Sequence, residues 1–135
     1  MKNERVGVGG VLFQEGQVLL GKRSPHRTFY PSVWDIIGGH REAGENTIAT
    51  LHRELDEEIG VVPIEYRLLS VLAEPTPELN GPGQYHVYLV TSWDGTPQNL
   101  RPDEHSEVAW IKVSEIDKLE VAHPSYSRLF RSLSN

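Results

Sequence analysis

The stretch GHREAGENTIATLHRELDEEIGV, residues 39–61, decides how the rest of the chain is read. Ile48, Leu51, Leu55 and Ile59 recur at steps of three and four, the apolar stripe of a helix lying on a core. Gly60 is the residue type that ends such a helix, and Asn46 or Thr47 suits its start. Glu54, Glu57 and Glu58 also stand three and four residues apart, so the spacing crowds three carboxylates on one polar face. Each like-charge pair there costs about 0.2–0.5 kcal/mol, and Asp56 adds a fourth negative charge nearby. The last helical turn is the negative end of the macrodipole, yet it carries Glu57 and Glu58 and no Lys or Arg. Two local preferences are violated, and violations of this kind mark functional sites whose compensating partner is not part of the chain. A divalent cation is such a partner. Carboxylate oxygens are hard ligands suited to Mg²⁺ or Mn²⁺, and since Mg²⁺ usually takes one or two protein carboxylates, three could serve more than one ion.

Outward from this segment, Gly38-Gly39 and Gly44 bracket HREA in what reads as a loop leading into the helix, where glycine permits close backbone approach and positive φ. Upstream, VGVGGVLF, EGQ and VLLGKRS read as strand, tight turn and strand, a hairpin near residues 5–22, and VWDII supplies a short strand entering the glycine loop. Downstream, IEYRLLSVLAE and QYHVYLVTSW are long β-prone runs separated by the loop PTPELNGPG, and EVAWIKV is a further strand. SEIDKL suggests a helical turn, and HPSYSRLFRSL a final helix with Tyr126, Leu129, Phe130 and Leu133 inward. Strands mixed with two helices fit an α/β or α+β domain.

With 135 residues and 38% apolar content, the chain suits one domain, residues 1–135, with a real core. A net charge of −6 without a long basic run argues against general binding to a nucleic-acid polymer or an anionic membrane. The absence of cysteine removes disulfides, thiolate metal sites and thiol nucleophiles together. MKNERVGVGG has no signal-peptide core and no apolar run approaches a membrane span, so a cytoplasmic location is expected.

Gly39, five residues, Glu45, seven residues, Arg53-Glu54-Leu55, one residue, Glu57-Glu58, one residue and Gly60-Val61 resemble a complete Nudix box. From average composition such a match arises on the order of once in 10⁹ starting points. The resemblance implies an α/β/α sandwich with a mixed β-sheet between helices. It also implies divalent-metal-dependent hydrolysis of a diphosphate linkage in a nucleoside diphosphate derivative or (d)NTP, with water attacking phosphorus. Carried over residue by residue, Glu57 and Glu58 become the leading metal ligands, with Glu54 next and the Gly39 carbonyl as a further contact, while Glu45 and Arg53 hold the loop against the helix. Glu54 is one candidate base; Glu104 and Glu107, in DEHSEVAW, are others, because relatives place a catalytic glutamate in a comparable loop. Arg23 resembles an arginine that oxidised-guanine-nucleotide hydrolases of the family use near base or phosphates, although the asparagine those enzymes present from their last helix has no counterpart in HPSYSRLFRSL. Position 38 is Gly where many relatives have Pro. KRSPHRTFYP…WD resembles the isopentenyl-diphosphate-isomerase branch, but that branch depends on a cysteine this chain lacks. Phe29, Tyr30 and Trp34 read as packing, and His40, His52, His86, His105 and His123 as structural or surface residues. The expected partner is a small-molecule nucleotide or other diphosphate, and homodimers are common among relatives. The alternative is a catalytically silent nucleotide-binding or sensing module, against which the intact glutamate set weighs.

Overall fold

The computed structural model describes residues 5–133, so the first four residues of MKNERVGVGG lie outside it. Seven strands form a mixed sheet: β1 (Arg5–Gln14), β2 (Gln17–Arg23), β3 (Trp34–Asp35), β4 (Ile37–His40), β5 (Val62–Ala73), β6 (Gly83–Asp94) and β7 (His105–Lys112). The helices are α1 (Thr47–Ile59), a single turn α2 (Pro77–Asn80) and α3 (Tyr126–Arg131), with a 3₁₀ segment at Val113–Lys118.

The path through the sheet is β3-β2-β1-β6-β5, with β4 also on β1 and β7 on β2. β1 and β6 run parallel, and the other described strand pairs are antiparallel. The β1–β2 hairpin closes through Glu15 and Gly16, both at positive φ, the two-residue turn whose twist matches the flanking strands. β2 then leaves β1, which pairs instead with β4, from Gly7 opposite His40 to Gly10 opposite Ile37.

Side-chain alternation on β1 and β6 separates two cores. Val8, Leu12, Tyr88 and Val90 pack with Leu51, Leu55 and Ile59 of α1, and Val11, Phe13, Val87 and Leu89 pack with Ile116, Tyr126 and Phe130. The molecule is an α/β/α sandwich. β1 needs its glycines for this packing: a Cβ at Gly10 would press on Leu51 and Leu55, and one at Gly9 on Tyr85 and Ile36.

Two expectations are corrected. Gly38 and Gly39 are not loop residues but belong to β4, without positive φ; they are small for lack of space, since a Cβ at Gly38 would lie 2.0 Å from the Val8 carbonyl oxygen. PTPELNGPG, read as loop throughout, contains α2, with Pro77 in its first turn, where the missing N–H is harmless.

Candidate active site

The helix carrying the glutamates starts at Asn46, whose side chain accepts from the Ala49 N–H, and ends at Gly60, left-handed at φ 73°. Its buried side is not the stripe expected. Ile48 is 43% exposed, whereas Glu58 is 2% exposed and buried among Leu55 and Ile59. The three carboxylates therefore span an arc. Glu57 faces solvent, Glu54 lies at the edge, and Glu58 turns inward beneath the sheet.

Arg53 organises the outer part. Its guanidinium grips Glu45 in bidentate fashion, Nε to Oε2 at 2.6 Å and Nη2 to Oε1 at 3.0 Å. It also donates to the His40 carbonyl, to Glu54 Oε2 at 2.8 Å and to Glu57 Oε1 at 3.2 Å. Glu45 accepts in addition from Thr50 and the Glu42 N–H, and these donors, Arg53 foremost, hold its carboxyl down at about 2. The strand end at His40, the loop and α1 thus meet on one arginine.

Glu54 and Glu58 behave oppositely to Glu45. Burial pushes Glu54 up to about 7, with the neighbouring Glu58 carboxylate adding to the rise; burial pushes Glu58 up to about 7 as well. One oxygen of Glu58 meets Nε2 of His105 at 2.5 Å, while Oε2 is buried with no hydrogen-bond partner. Gly39 leaves room for Glu54: a Cβ there would lie 2.6 Å from Glu54 Oε1.

β7 brings the remote contributors. Ligand atoms of Glu58, Glu104 and His105 fall within 4.8 Å of one another. Glu104 is paired with Arg101 at 2.6 Å and more loosely with Arg27 at 3.5 Å. Glu107 is exposed, opposite Lys22, and is not among the residues that border the cavity; an irregularity at Lys22/Arg23 places an extra residue, Ser106, on β7 and reverses which face the next side chains take.

A cavity of about 360 Å³ opens beside these acids. Glu54, Glu57, Glu104, Gly39, Arg27 and Arg101 border it, as do Tyr85, Tyr126, Asp35, His123, Phe29 and Tyr30. Arg23 borders it too, but its guanidinium is engaged by the Phe29 and Tyr30 carbonyls and by Asp35 at 3.2 Å, so it fastens the 24–33 segment. Across the opening, the Tyr30 hydroxyl donates to Glu74, which also accepts from Thr76 and Asn80. Tyr126 donates to Asp35 at 2.6 Å. Phe29 and Tyr30 line the mouth in addition to packing. His105 and Arg101 were not singled out as site residues from sequence; for His105 the one available signal was adjacency to Glu104, which does not reveal the strand irregularity beside it.

The NUDIX domain profile matches residues 3–133. The chain is 29% identical over 133 residues to 8-oxo-dGTP diphosphatase of Haemophilus influenzae, covering 97% of this chain and 91% of that one. It is 33% identical over 119 residues to m7GpppN-mRNA hydrolase NUDT17 of Xenopus laevis, covering 78% of this chain but only 40% of that protein's length. In three dimensions it resembles the MutT NUDIX hydrolase from Burkholderia pseudomallei, with TM-score 0.82 and 24% identity, covering 98% of this chain and 100% of that one. The fold, the box residues gathered by Arg53 and the profile match agree: the chain belongs to the NUDIX domain family.

Proposed function

We propose that this chain, as a single domain, splits a diphosphate linkage in a nucleoside diphosphate derivative or (d)NTP, by attack of water on phosphorus with Mg²⁺ or Mn²⁺ bound. The observation that carries the reading is the buried Glu58 carboxylate, with an oxygen lacking any partner, beside Glu54 and Glu104. A carboxylate left so is costly unless a cation completes it. The donor set is all oxygen and fits a hard divalent ion. Glu54, Glu57 and Glu58 would hold it, with the Gly39 carbonyl as a further donor. When bound, the ion supplies charge neutralisation for the phosphate oxygens and a Lewis acid for the displacement.

The chain's own groups do the rest. Glu54 borders the cavity and would accept the proton of the attacking water. Water oxygen bonds to phosphorus, the anhydride P–O bond breaks, the leaving phosphate takes the bonding pair, and the water proton passes to Glu54. Arg27 and Arg101, on the cavity wall, offer guanidinium donors to phosphate oxygens. Phe29, Tyr30 and Tyr85 give the remaining wall an aromatic surface for the nucleoside end. Support for a nucleotide substrate comes from the relatives named as hydrolases of 8-oxo-dGTP and of capped mRNA.

The test is product release, by chromatography or ³¹P NMR, from dNTPs, 8-oxo-dGTP, ADP-ribose, NADH, nucleotide sugars and dinucleoside polyphosphates with Mg²⁺ or EDTA. Cleavage of one compound well above the others, abolished by EDTA, is the expected result. Binding without cleavage across the panel would favour a silent sensing module instead.

A further inference from the structure

His105 lies outside the box, yet it is the side chain that meets Glu58. It is 4% exposed, at the start of β7, and its backbone is fixed on both sides: its N–H donates to the Arg101 carbonyl at 2.9 Å and its carbonyl accepts from Asn99 Nδ2 at 2.8 Å. The ring lies against Gly21 of β2, where a Cβ would come within 2.8 Å of Nδ1, so any larger residue would evict it. With backbone and ring both held, Nε2 meets Glu58 Oε1 at 2.5 Å.

The consequence falls on Glu58. A buried carboxylate on the apolar side of a helix has several rotamers open to it unless something selects one. One oxygen is taken by His105, and the other is buried and unpartnered. Glu104 is the third member of the cluster, but its carboxylate is engaged by Arg101 and Arg27. We propose that His105 is a positioning residue: clamped between Gly21 and Glu58, its Nε2–H fixes the Glu58 carboxylate so that Oε2 is held ready for a divalent cation. His105 acts through Glu58 and does not itself ligate the ion. The inference rests on the reading of Glu58 as a metal ligand.

Mn²⁺ alone, titrated into the purified chain without substrate and followed by EPR of the free ion, tests it. The proteins are wild type, Glu58→Gln, His105→Leu and His105→Gln, with melting in EDTA as the check on folding. Leu fills comparable volume without a donor; Gln restores an N–H at similar reach. Partners of this kind change metal affinity by roughly 10–100-fold, so His105→Leu is expected to weaken Mn²⁺ binding by that factor while His105→Gln stays within about threefold of wild type. Equal binding by wild type and His105→Leu overturns the inference, and so does His105→Gln as weak as His105→Leu, which would make the imidazole itself a ligand. If Glu58→Gln binds Mn²⁺ as wild type does, the underlying reading of Glu58 fails, and the inference with it. Should His105→Leu not fold, His105→Ala, which also removes the donor, takes its place in the same titration, and binding equal to wild type by that variant overturns the inference.

Discussion

Replacing Glu58 by Gln should stabilise the metal-free protein at alkaline pH while removing its activity. The native carboxyl titrates at about 7 against an ordinary value of 4.5, because burial disfavours its charge. Between those two values the native state holds a proton that the unfolded chain has released. Stability from this group is therefore complete below pH 4.5 and is lost as pH rises through 7. A displacement of about 2.5 pH units at about 1.4 kcal/mol each is about 3 kcal/mol, or roughly 10 °C in melting temperature for a chain of this size. Gln cannot ionise, so the variant escapes the loss. His40 and His105, both held below the ordinary imidazole value with burial the first cause, act in the opposite direction and remain in the variant; Glu54, whose own rise Glu58 adds to, relaxes toward its ordinary value there, which adds to the variant's gain in the same sense. The assay is urea unfolding of both in EDTA from pH 5 to 8. The gap should be smallest at pH 5 and should widen by roughly 2–3 kcal/mol in the variant's favour by pH 8. Saturating Mg²⁺ should then close the gap by stabilising wild type alone. A difference curve that stays flat across this range would refute the assignment of a buried, cation-awaiting carboxylate.

Three further outcomes follow from the geometry around β4 and α1. Gly39→Ala puts a Cβ 2.6 Å from Glu54 Oε1, a flexible group that can move, so the variant should fold but lose roughly 100-fold or more in kcat/KM if Glu54 takes the proton; Gly38→Ala meets the Val8 backbone oxygen at 2.0 Å and should instead lower the melting temperature sharply, as circular dichroism would record. Arg53→Lys retains the charge but not the fork that holds Glu45 and the His40 carbonyl together, and should reduce both melting temperature and turnover, with added salt unable to restore either.

The helix and its glutamates were legible because a box is local: spacing along α1 fixes which side chains share a face. What sequence spacing misjudged was where the core lay. Ile48 looks like the natural start of the stripe, but the sheet contacts α1 through Leu51, Leu55 and Ile59, which turns Glu58 inward and leaves Ile48 outside. The family pattern brought Glu104 into consideration, yet it could not choose between Glu104 and Glu107, since the choice depends on an irregularity in β7 opposite Lys22 and Arg23. His105 was dismissed for a related reason, because its partner is 47 residues away in the chain and only the sheet brings them together. Arg23 shows the converse: a plausible substrate contact whose donors are taken up by a segment that sequence cannot fold back onto it.

The parallel pairing of β1 with β6 has a kinetic consequence. Arg5 lies opposite Gly83 and Leu12 opposite Val90, a constant separation of 78 positions (83 − 5 and 90 − 12). Closing a loop of that length costs about 4 kcal/mol of chain entropy before the first contact returns anything, whereas the β1–β2 hairpin closes through two residues. β1 contributes Val8 and Leu12 to one core and Val11 and Phe13 to the other, so neither layer can consolidate until β6 has docked. During synthesis β1 emerges well before β6 and waits, apolar on both faces, for more than seventy residues. Refolding of this chain should be governed by that long-range closure, and substitutions along the β1–β6 seam should slow folding more than they hasten unfolding.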